Sequence, residues 1–241
     1  MKGIVLAGGL GSRLFPLTKI TNKHLLPVYD KPMIYYPVET LVETGIKDIT
    51  IVTGGSHAGN FLRLLGNGHD FGLKGINYVY QEKEGGIAEA LSLAEHFADG
   101  DRVVVMLGDN IIEKSIKREV GKFAGQSAGA RILIKDVPHP ERFGVVEFDG
   151  DKIIRIVEKP EKPGTSYAVT GIYMYDNQVF DFIKTLEPSA RGELEITDVN
   201  NMYLKKGQLA YSKLDGWWTD AGTFDSLLRA NQLVAEKERK E

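Results

Sequence analysis

The sequence predicts an α/β protein layered around a largely parallel sheet, and two observations carry that expectation. Short apolar runs rich in β-branched residues alternate with stretches of helical period along the first half of the chain. The first of these runs, Gly3-Ile4-Val5-Leu6-Ala7, stops at once in Gly8-Gly9-Leu10-Gly11. That is the pattern of a buried strand feeding a backbone-lined loop. In open α/β sheets, ligands sit outside the carboxyl ends of the strands.

In order, strands are predicted over residues 3–7, 48–53, 75–81, 102–107 and 130–137, with helical patterns near 38–44, 57–65, 87–97 and 115–124. The glycine loop and Gly108-Asp109 both fall at strand ends. The second half reads differently. Residues 145–148 and 152–157 flank Asp149-Gly150 as a hairpin with a two-residue turn. A strand follows over 167–175, then helices over 177–186, 196–206 and 223–240. The closing charge run Glu236-Lys237-Glu238-Arg239-Lys240-Glu241 reads as a solvated helix end. No repeat, low-complexity tract or linker interrupts the chain. It is therefore taken as a single domain, 1–241, with a part at about 1–110 and another at 111–241.

Composition narrows the function. At 241 residues, 42% hydrophobic and 26% charged, the chain can bury a substantial core. Its net charge of −3 provides no general basic field for nucleic acid. The absence of cysteine excludes disulfides and thiolate chemistry. No apolar run approaches the ~20 residues of a membrane span, and Met1 leads directly into the first strand without room for a secretory signal. A cytoplasmic enzyme is the simplest expectation.

Glycines without Cβ atoms let backbone N–H groups approach a phosphate, and the loop is followed by two cations, Arg13 and Lys23. A nucleoside triphosphate gripped by loop amides, Arg13 and Lys23 is the functional reading; a plain tight turn is the competing one. Two better-known loops do not fit. A dinucleotide fingerprint starting at Gly9 needs glycine where Leu14 stands, and no Gly-Lys-Ser/Thr ends the loop as a P-loop would. Asp109, after an apolar strand, and Asp220, after Trp217-Trp218, can each hold a metal or simply cap a turn.

The loop belongs to a longer pattern. Leu6-Ala7-Gly8-Gly9-Leu10-Gly11-Ser12-Arg13-Leu14, then Pro16-Leu17-Thr18, then Lys23-His24-Leu25-Leu26-Pro27 resembles the signature of sugar nucleotidyltransferases. Asp30-Lys31-Pro32-Met33-Ile34-Tyr35-Tyr36-Pro37 narrows the resemblance to the branch acting on glucose 1-phosphate and dTTP. The match continues through Gly108-Asp109-Asn110, Glu141-Arg142-Phe143-Gly144, Glu158-Lys159-Pro160, Tyr167-Ala168-Val169-Thr170-Gly171, Arg191-Gly192-Glu193-Leu194-Glu195 and Trp217-Trp218-Thr219-Asp220.

The resemblance implies a Rossmann-like three-layer fold of the nucleotide-diphospho-sugar transferase type. It also implies a reaction, in which dTTP and glucose 1-phosphate give dTDP-glucose and pyrophosphate. Asp109 and Asp220 would hold Mg²⁺, while Arg13, Lys23 and the loop amides would stabilise the departing pyrophosphate. Leu6, Gly8, Gly9, Gly11, Ser12, Gln81 and Gly86 would line the nucleotide. A glutamine amide donates and accepts together and so suits the imide edge of thymine or uracil. Glu158 would take sugar hydroxyls and Lys159 the sugar phosphate, with Asn110, Gly144, Val169, Glu195 and Trp218 around them. Glu195 is favoured over Glu193, which also suits an acidic helix cap. A Glu–Lys pair on an ordinary hairpin is otherwise surface decoration. His24 stands where many members carry glutamine, and it receives no catalytic role. A homo-oligomer is implied, and the end-product inhibitor site associated with a C-terminal extension is expected to be missing or reduced. The alternatives are UTP or another hexose 1-phosphate as substrate, or a non-catalytic sugar-nucleotide sensor. A nicotinamide-dependent dehydrogenase is a distant third.

Overall fold

A computed structural model describes residues 1–240. The first half runs β1 (Lys2–Ala7), β2 (Pro27–Val28), β3 (Lys31–Pro32), α1 (Tyr35–Glu43), β4 (Asp48–Gly54), α2 (Ala58–Leu65), β5 (Gly75–Gln81), α3 (Ile87–Ser92), α4 (Glu95–Ala98) and β6 (Val103–Leu107). The second runs β7 (Asn110–Ile112), α5 (Lys117–Ala124), β8 (Ala130–Asp136), β9 (Gly144–Asp149), β10 (Lys152–Glu158), β11 (Tyr167–Tyr175), α6 (Gln178–Ile183), α7 (Ile196–Lys205), β12 (Leu209–Lys213), β13 (Trp218–Asp220) and α8 (Phe224–Glu238).

One nine-stranded sheet passes through both halves in the order β10-β9-β11-β6-β1-β4-β5, with β8 paired to β11 and β12 to β8. Strands β6, β1, β4 and β5 are parallel. Strand β11 enters antiparallel to both β6 and β8, and β12 runs parallel to β8. Strands β10 and β11 run against the others, which leaves the sheet mixed but mostly parallel.

Side-chain alternation divides each strand between two cores. Ile4 and Leu6 of β1 join Val103, Val105, Tyr173 and Tyr175 on one face, under α3, α6 and α7. Val5 and Ala7 join Ile49, Ile51, Val104 and Met106 on the other, under α1, α2 and α5. A third, smaller cluster sets the geometry of the ligand end. Leu14, Leu26, Val28 and Met33, which flank the segment after the glycine loop, pack against Ile111, Ala221, Ala230 and Val234. The end of the chain thereby clamps its beginning. Helix α8 starts at a capping box in which Thr223 and Ser226 exchange hydrogen bonds, so it departs sharply just after Asp220.

Three local readings need correction. The helix expected over 87–97 is broken into α3 and α4; Ser92 Oγ donates to Glu89 O at 2.7 Å, back-bonding that competes with helical continuation. The hairpin turn is Gly150-Asp151, because Asp149 pairs with Lys152, and Gly150 supplies the positive φ of 57°. Strands β2, β3, β7, β12 and β13 lie outside the strands the sequence predicts. No helix among the described residues is long and apolar enough to cross a membrane.

Candidate active site

A cavity of about 570 Å³ opens at the carboxyl ends of the parallel strands. The β1 end and its loop supply Leu6, Gly8, Gly9, Gly11, Ser12 and Arg13 to its wall, and the short turn beyond supplies Lys23. Gln81 ends β5, Gly86 precedes α3, and Asp109-Asn110 follow β6. The other wall carries Gly144, Glu158 and Lys159 from the hairpin, Val169 from β11, and Trp218 and Asp220 from β13. Glu195 is not part of the lining, whereas Glu193 is. The Glu195 carboxylate is taken by Arg191, whose Nη2 lies 2.8 Å from both of its oxygens, and by Ser189 Oγ at 2.7 Å.

Strand register brings the two aspartates together. Asp220 pairs with Asn110 in the β7–β13 ribbon, and Ala221 N donates to Asp109 O at 2.8 Å. A Cβ placed on Gly222 would lie 3.4 Å from Asp109 Oδ2 and 3.5 Å from Asp220 Oδ2. Both carboxylates thus face one small space that glycine leaves open, and Arg13 Nη2, 3.1 Å from the same point, faces it too. Among the described residues no group of three or more metal-ligating side chains converges. Two hard oxygen donors on the wall of the cleft nevertheless suit Mg²⁺, which takes one or two carboxylates and completes its shell with phosphate oxygens and water. Asn110 orients the site: its Nδ2 donates to Asp109 Oδ1 at 3.0 Å, while its Oδ1 accepts from Trp218 Nε1 at 2.6 Å and Gly171 N at 2.9 Å.

Cations hold each carboxylate. Lys23 Nζ lies 2.5 Å from Asp109 Oδ2, and Arg142 Nη2 lies 3.1 Å from Asp220 Oδ2. Gly11, at φ 69°, lets the Lys23 stem pass, since a Cβ there would meet Lys23 Cβ at 2.8 Å. Burial pushes the Asp109 carboxyl up, but Lys23 and the hydrogen bonds from Lys23 and Asn110 hold it well below the usual range. Burial and the neighbouring Asp109 charge raise Asp220 to about 6, against the opposing pull of Arg142 and Arg13. His24 is driven down to about 3 by burial and then by Lys23. Its neutral ring keeps a proton on Nδ1, which donates to Asn22 Oδ1 at 2.8 Å.

At the opposite end, Glu158 Oε2 accepts from Thr197 Oγ1 at 2.5 Å, and Arg191 Nη2 stands 3.5 Å from Glu158 Oε1. Lys159 sits at φ 42°, a left-handed conformation for a non-glycine residue. Asn200 is 1% exposed and accepts from Tyr175 OH at 2.6 Å, while its Nδ2 has no partner within the cleft wall. Arg142, Thr197, Asn200 and Tyr173 were not singled out from the sequence. Thr197 and Asn200 carry a usable signal in their i, i+3 spacing on one face of α7.

Glycine-lined loop amides, two cations and a carboxylate pair at one end of the cleft, with an acceptor–ammonium pair at the other, define a site for joining a nucleotide to a second phosphorylated compound. The sequence profile of the nucleotidyl transferase family matches residues 2–237, and the chain belongs to that family. Within it, the chain is similar to proteins named glucose-1-phosphate thymidylyltransferase. It is 48% identical over 238 residues to the one from Neisseria meningitidis, covering 97% of this chain and 82% of that protein. It is 44% identical over 245 residues to the Mycobacterium tuberculosis protein, covering 100% and 84%. A Bacillus anthracis crystal structure assigned to the same activity, in complex with a sucrose, superposes with a TM-score of 0.93 at 57% identity, covering 97% of this chain and 94% of that one. A UDP-glucose pyrophosphorylase complexed with UDP-glucose shares the fold, with a TM-score of 0.85 at 24% identity, covering 98% of each chain.

Proposed function

We propose that this protein transfers a thymidylyl group from dTTP to glucose 1-phosphate, giving dTDP-glucose and pyrophosphate. The observation that carries the proposal is that a single cleft is lined by Arg13 and Lys23, by Asp109 and Asp220, and by Glu158 and Lys159. A phosphate oxygen of glucose 1-phosphate forms the new bond to the α-phosphorus, and the bond from the α-phosphorus to the α–β bridging oxygen breaks. The electron pair leaves with pyrophosphate. Arg13, Lys23 and the loop amides meet the charge on the leaving group. Lys159 holds the nucleophilic phosphate in line, and Glu158, steadied by Thr197, accepts from sugar hydroxyls. Gln81 and the backbone at Gly86 take the base. The sugar phosphate is already anionic, so no side chain has to remove a proton, which suits a neutral, buried His24.

Asp109 and Asp220 would hold Mg²⁺, which when bound supplies positive charge against the α-phosphate oxygens. In this reading residues 1–110 serve mainly the nucleotide and 111–241 mainly the sugar phosphate. We place the reaction in the cytoplasm, where nucleoside triphosphates are held, and the protein in a homo-oligomer. Phe224 and Leu228 stand 48% and 60% exposed one turn apart on α8, an apolar pair a second copy would cover. Light scattering of the purified protein tests the assembly.

The reaction is tested by pyrophosphate release with glucose 1-phosphate and Mg²⁺, supplying dTTP, UTP, CTP, ATP and GTP separately. The expected result is release with dTTP above the others. No release with any nucleotide, together with binding of dTDP-glucose, would replace catalysis by a sensor role.

A further inference from the structure

Gln81 and Glu89 form a pair whose orientation follows from elementary hydrogen-bond chemistry. Gln81, 7% exposed at the end of β5, donates from Nε2 to Glu89 Oε2 at 2.5 Å. Glu89 lies in the first turn of α3. Two glycines make room for the pair. A Cβ on Gly8 would fall 1.9 Å from Gln81 Oε1, and a Cβ on Gly85 would fall 2.9 Å from Glu89 Cγ. The amide oxygen therefore lies directly over the glycine loop, and the carboxylate is tucked against the turn that precedes α3.

A glutamine amide by itself has two orientations of nearly equal shape, with oxygen and nitrogen exchanged. A carboxylate accepts and cannot donate. Glu89 therefore fixes the nitrogen of Gln81 on its own side and leaves the oxygen on the side of Gly8. Nε2 keeps a second hydrogen, and neither that hydrogen nor Oε1 has another partner among the described residues. The cleft thus offers a base one acceptor and one donor in a set order.

We infer that Glu89 is a positioning residue which, by locking the Gln81 amide, makes the base site select 4-oxo over 4-amino pyrimidines. The inference rests on the nucleotide reading above and deepens it. A 4-oxo pyrimidine presents N3–H as donor and O4 as acceptor, the complement of Oε1 and Nε2–H. A 4-amino pyrimidine presents N3 as acceptor and the exocyclic amine as donor, and needs the amide reversed. Reversal would set Gln81 Oε1 against a Glu89 carboxylate oxygen, acceptor to acceptor, inside a buried site where an unmade hydrogen bond is costly. The selection lies outside Gln81 itself, because a free glutamine could serve either base by turning over.

The test compares kcat/KM for dUTP and dCTP, which differ only at this edge, in the wild-type protein and in Glu89→Gln. The variant keeps size and shape, but its amide can donate as well as accept. The expected result is a fall of about tenfold or more in the dUTP-to-dCTP ratio, the loss of one well-made hydrogen bond to a charged group, with dCTP turnover rising in absolute terms. In ¹H–¹⁵N spectra the Gln81 side-chain amide should show one proton shifted strongly downfield in the wild type, and that shift should be gone in the variant. If Glu89 merely supports α3, both nucleotides lose together and the ratio stays at its wild-type value, which overturns the inference and leaves the parent reaction standing. An unshifted Gln81 amide in the wild type overturns it independently of turnover. A wild-type protein that uses no 4-oxo pyrimidine nucleotide overturns both the reaction and the inference.

Discussion

Replacing Lys159 by glycine should give a protein more heat-stable than replacing it by alanine, while both changes impair the use of glucose 1-phosphate. Lys159 adopts φ 42°, held there by its N–H donating to Phe143 O at 3.0 Å. An L-residue in the left-handed region costs about 1–2 kcal/mol. Alanine keeps that cost and glycine removes it, although the freedom of glycine in the unfolded chain returns about 0.5–1 kcal/mol. The remaining difference of about 0.5–1 kcal/mol corresponds to roughly 1–4 °C for a chain of this size. The lost ammonium does not distort the comparison, because both variants lose it. It also adds little to stability: its side chain is 47% exposed, and Nζ is 3.7 Å from Glu158 Oε1. The contact proposed for it with the sugar phosphate is another matter. Removing one hydrogen bond to a charged group costs about 1.5–3 kcal/mol, or roughly 10- to 150-fold in kcat/KM. Scanning calorimetry measures the first effect, and pyrophosphate release with varied glucose 1-phosphate at saturating dTTP measures the second. A glycine variant that melts at or below the alanine variant would refute the backbone strain. Wild-type kcat/KM for glucose 1-phosphate in either variant would refute the role of the ammonium.

Other consequences can be checked separately. His24 has a folded pKa of about 3, so it is neutral when folded and takes a proton on unfolding below its ordinary value of about 6.5. Its contribution is complete above that value and declines as pH falls towards 3; by pH 5 about 2 kcal/mol of it is lost. Urea unfolding of His24→Gln should accordingly show a smaller loss between pH 7 and pH 5 than the wild type, by about that amount; parallel losses would contradict the buried neutral imidazole. Arg142 competes with any cation for Asp220, so Arg142→Met should bind Mn²⁺ about two- to fivefold more tightly without nucleotide, the modest worth of a pair whose guanidinium is partly exposed. Electron paramagnetic resonance titration measures this, and unchanged or weaker binding would count against the competition. Thr197→Val removes the 2.5 Å hydrogen bond to Glu158 and should raise KM for glucose 1-phosphate about tenfold with KM for dTTP unaltered; an equal rise in both would assign Thr197 to packing alone.

The sequence reveals the parallel half of the sheet because its strands are buried on both faces. Residues such as Ile4, Val5, Leu6 and Ala7 leave a continuous apolar trace that needs no partner to be recognised. Strands β7 and β13 leave no such trace. Each has three residues and exists only because Trp218, Thr219 and Asp220 find Ile112, Ile111 and Asn110 across a gap of about a hundred residues of chain. The meeting of the two aspartates depends on that pairing, so either one alone reads equally well as a turn residue. The choice between Glu193 and Glu195 is hard to read from the sequence for a related reason. The two carboxylates lie two positions apart in a loop and both pair with Arg191, Glu195 at 2.8 Å and Glu193 at 3.4 Å, yet only Glu193 lines the cleft wall.

The charges in the cleft also explain why nucleotide and metal should bind together. The protein as a whole carries a net charge of −3, yet around the cleft Lys23 faces Asp109, Arg142 faces Asp220, and Arg191 faces Glu158. Each carboxylate already has a cation. A triphosphate that draws Lys23 or Arg142 towards itself leaves a buried aspartate beside a phosphate, two like charges in a site where water screens them poorly. A divalent cation alone meets the opposite difficulty, since it has to displace an ammonium or guanidinium from each ligand. In the arrangement proposed, phosphate oxygens would take up Lys23 and Arg142 while Asp109 and Asp220 would hold the metal, so that neither carboxylate nor cation would be left without a partner. Each of the two should therefore raise the affinity for the other by the same factor, as thermodynamic linkage requires.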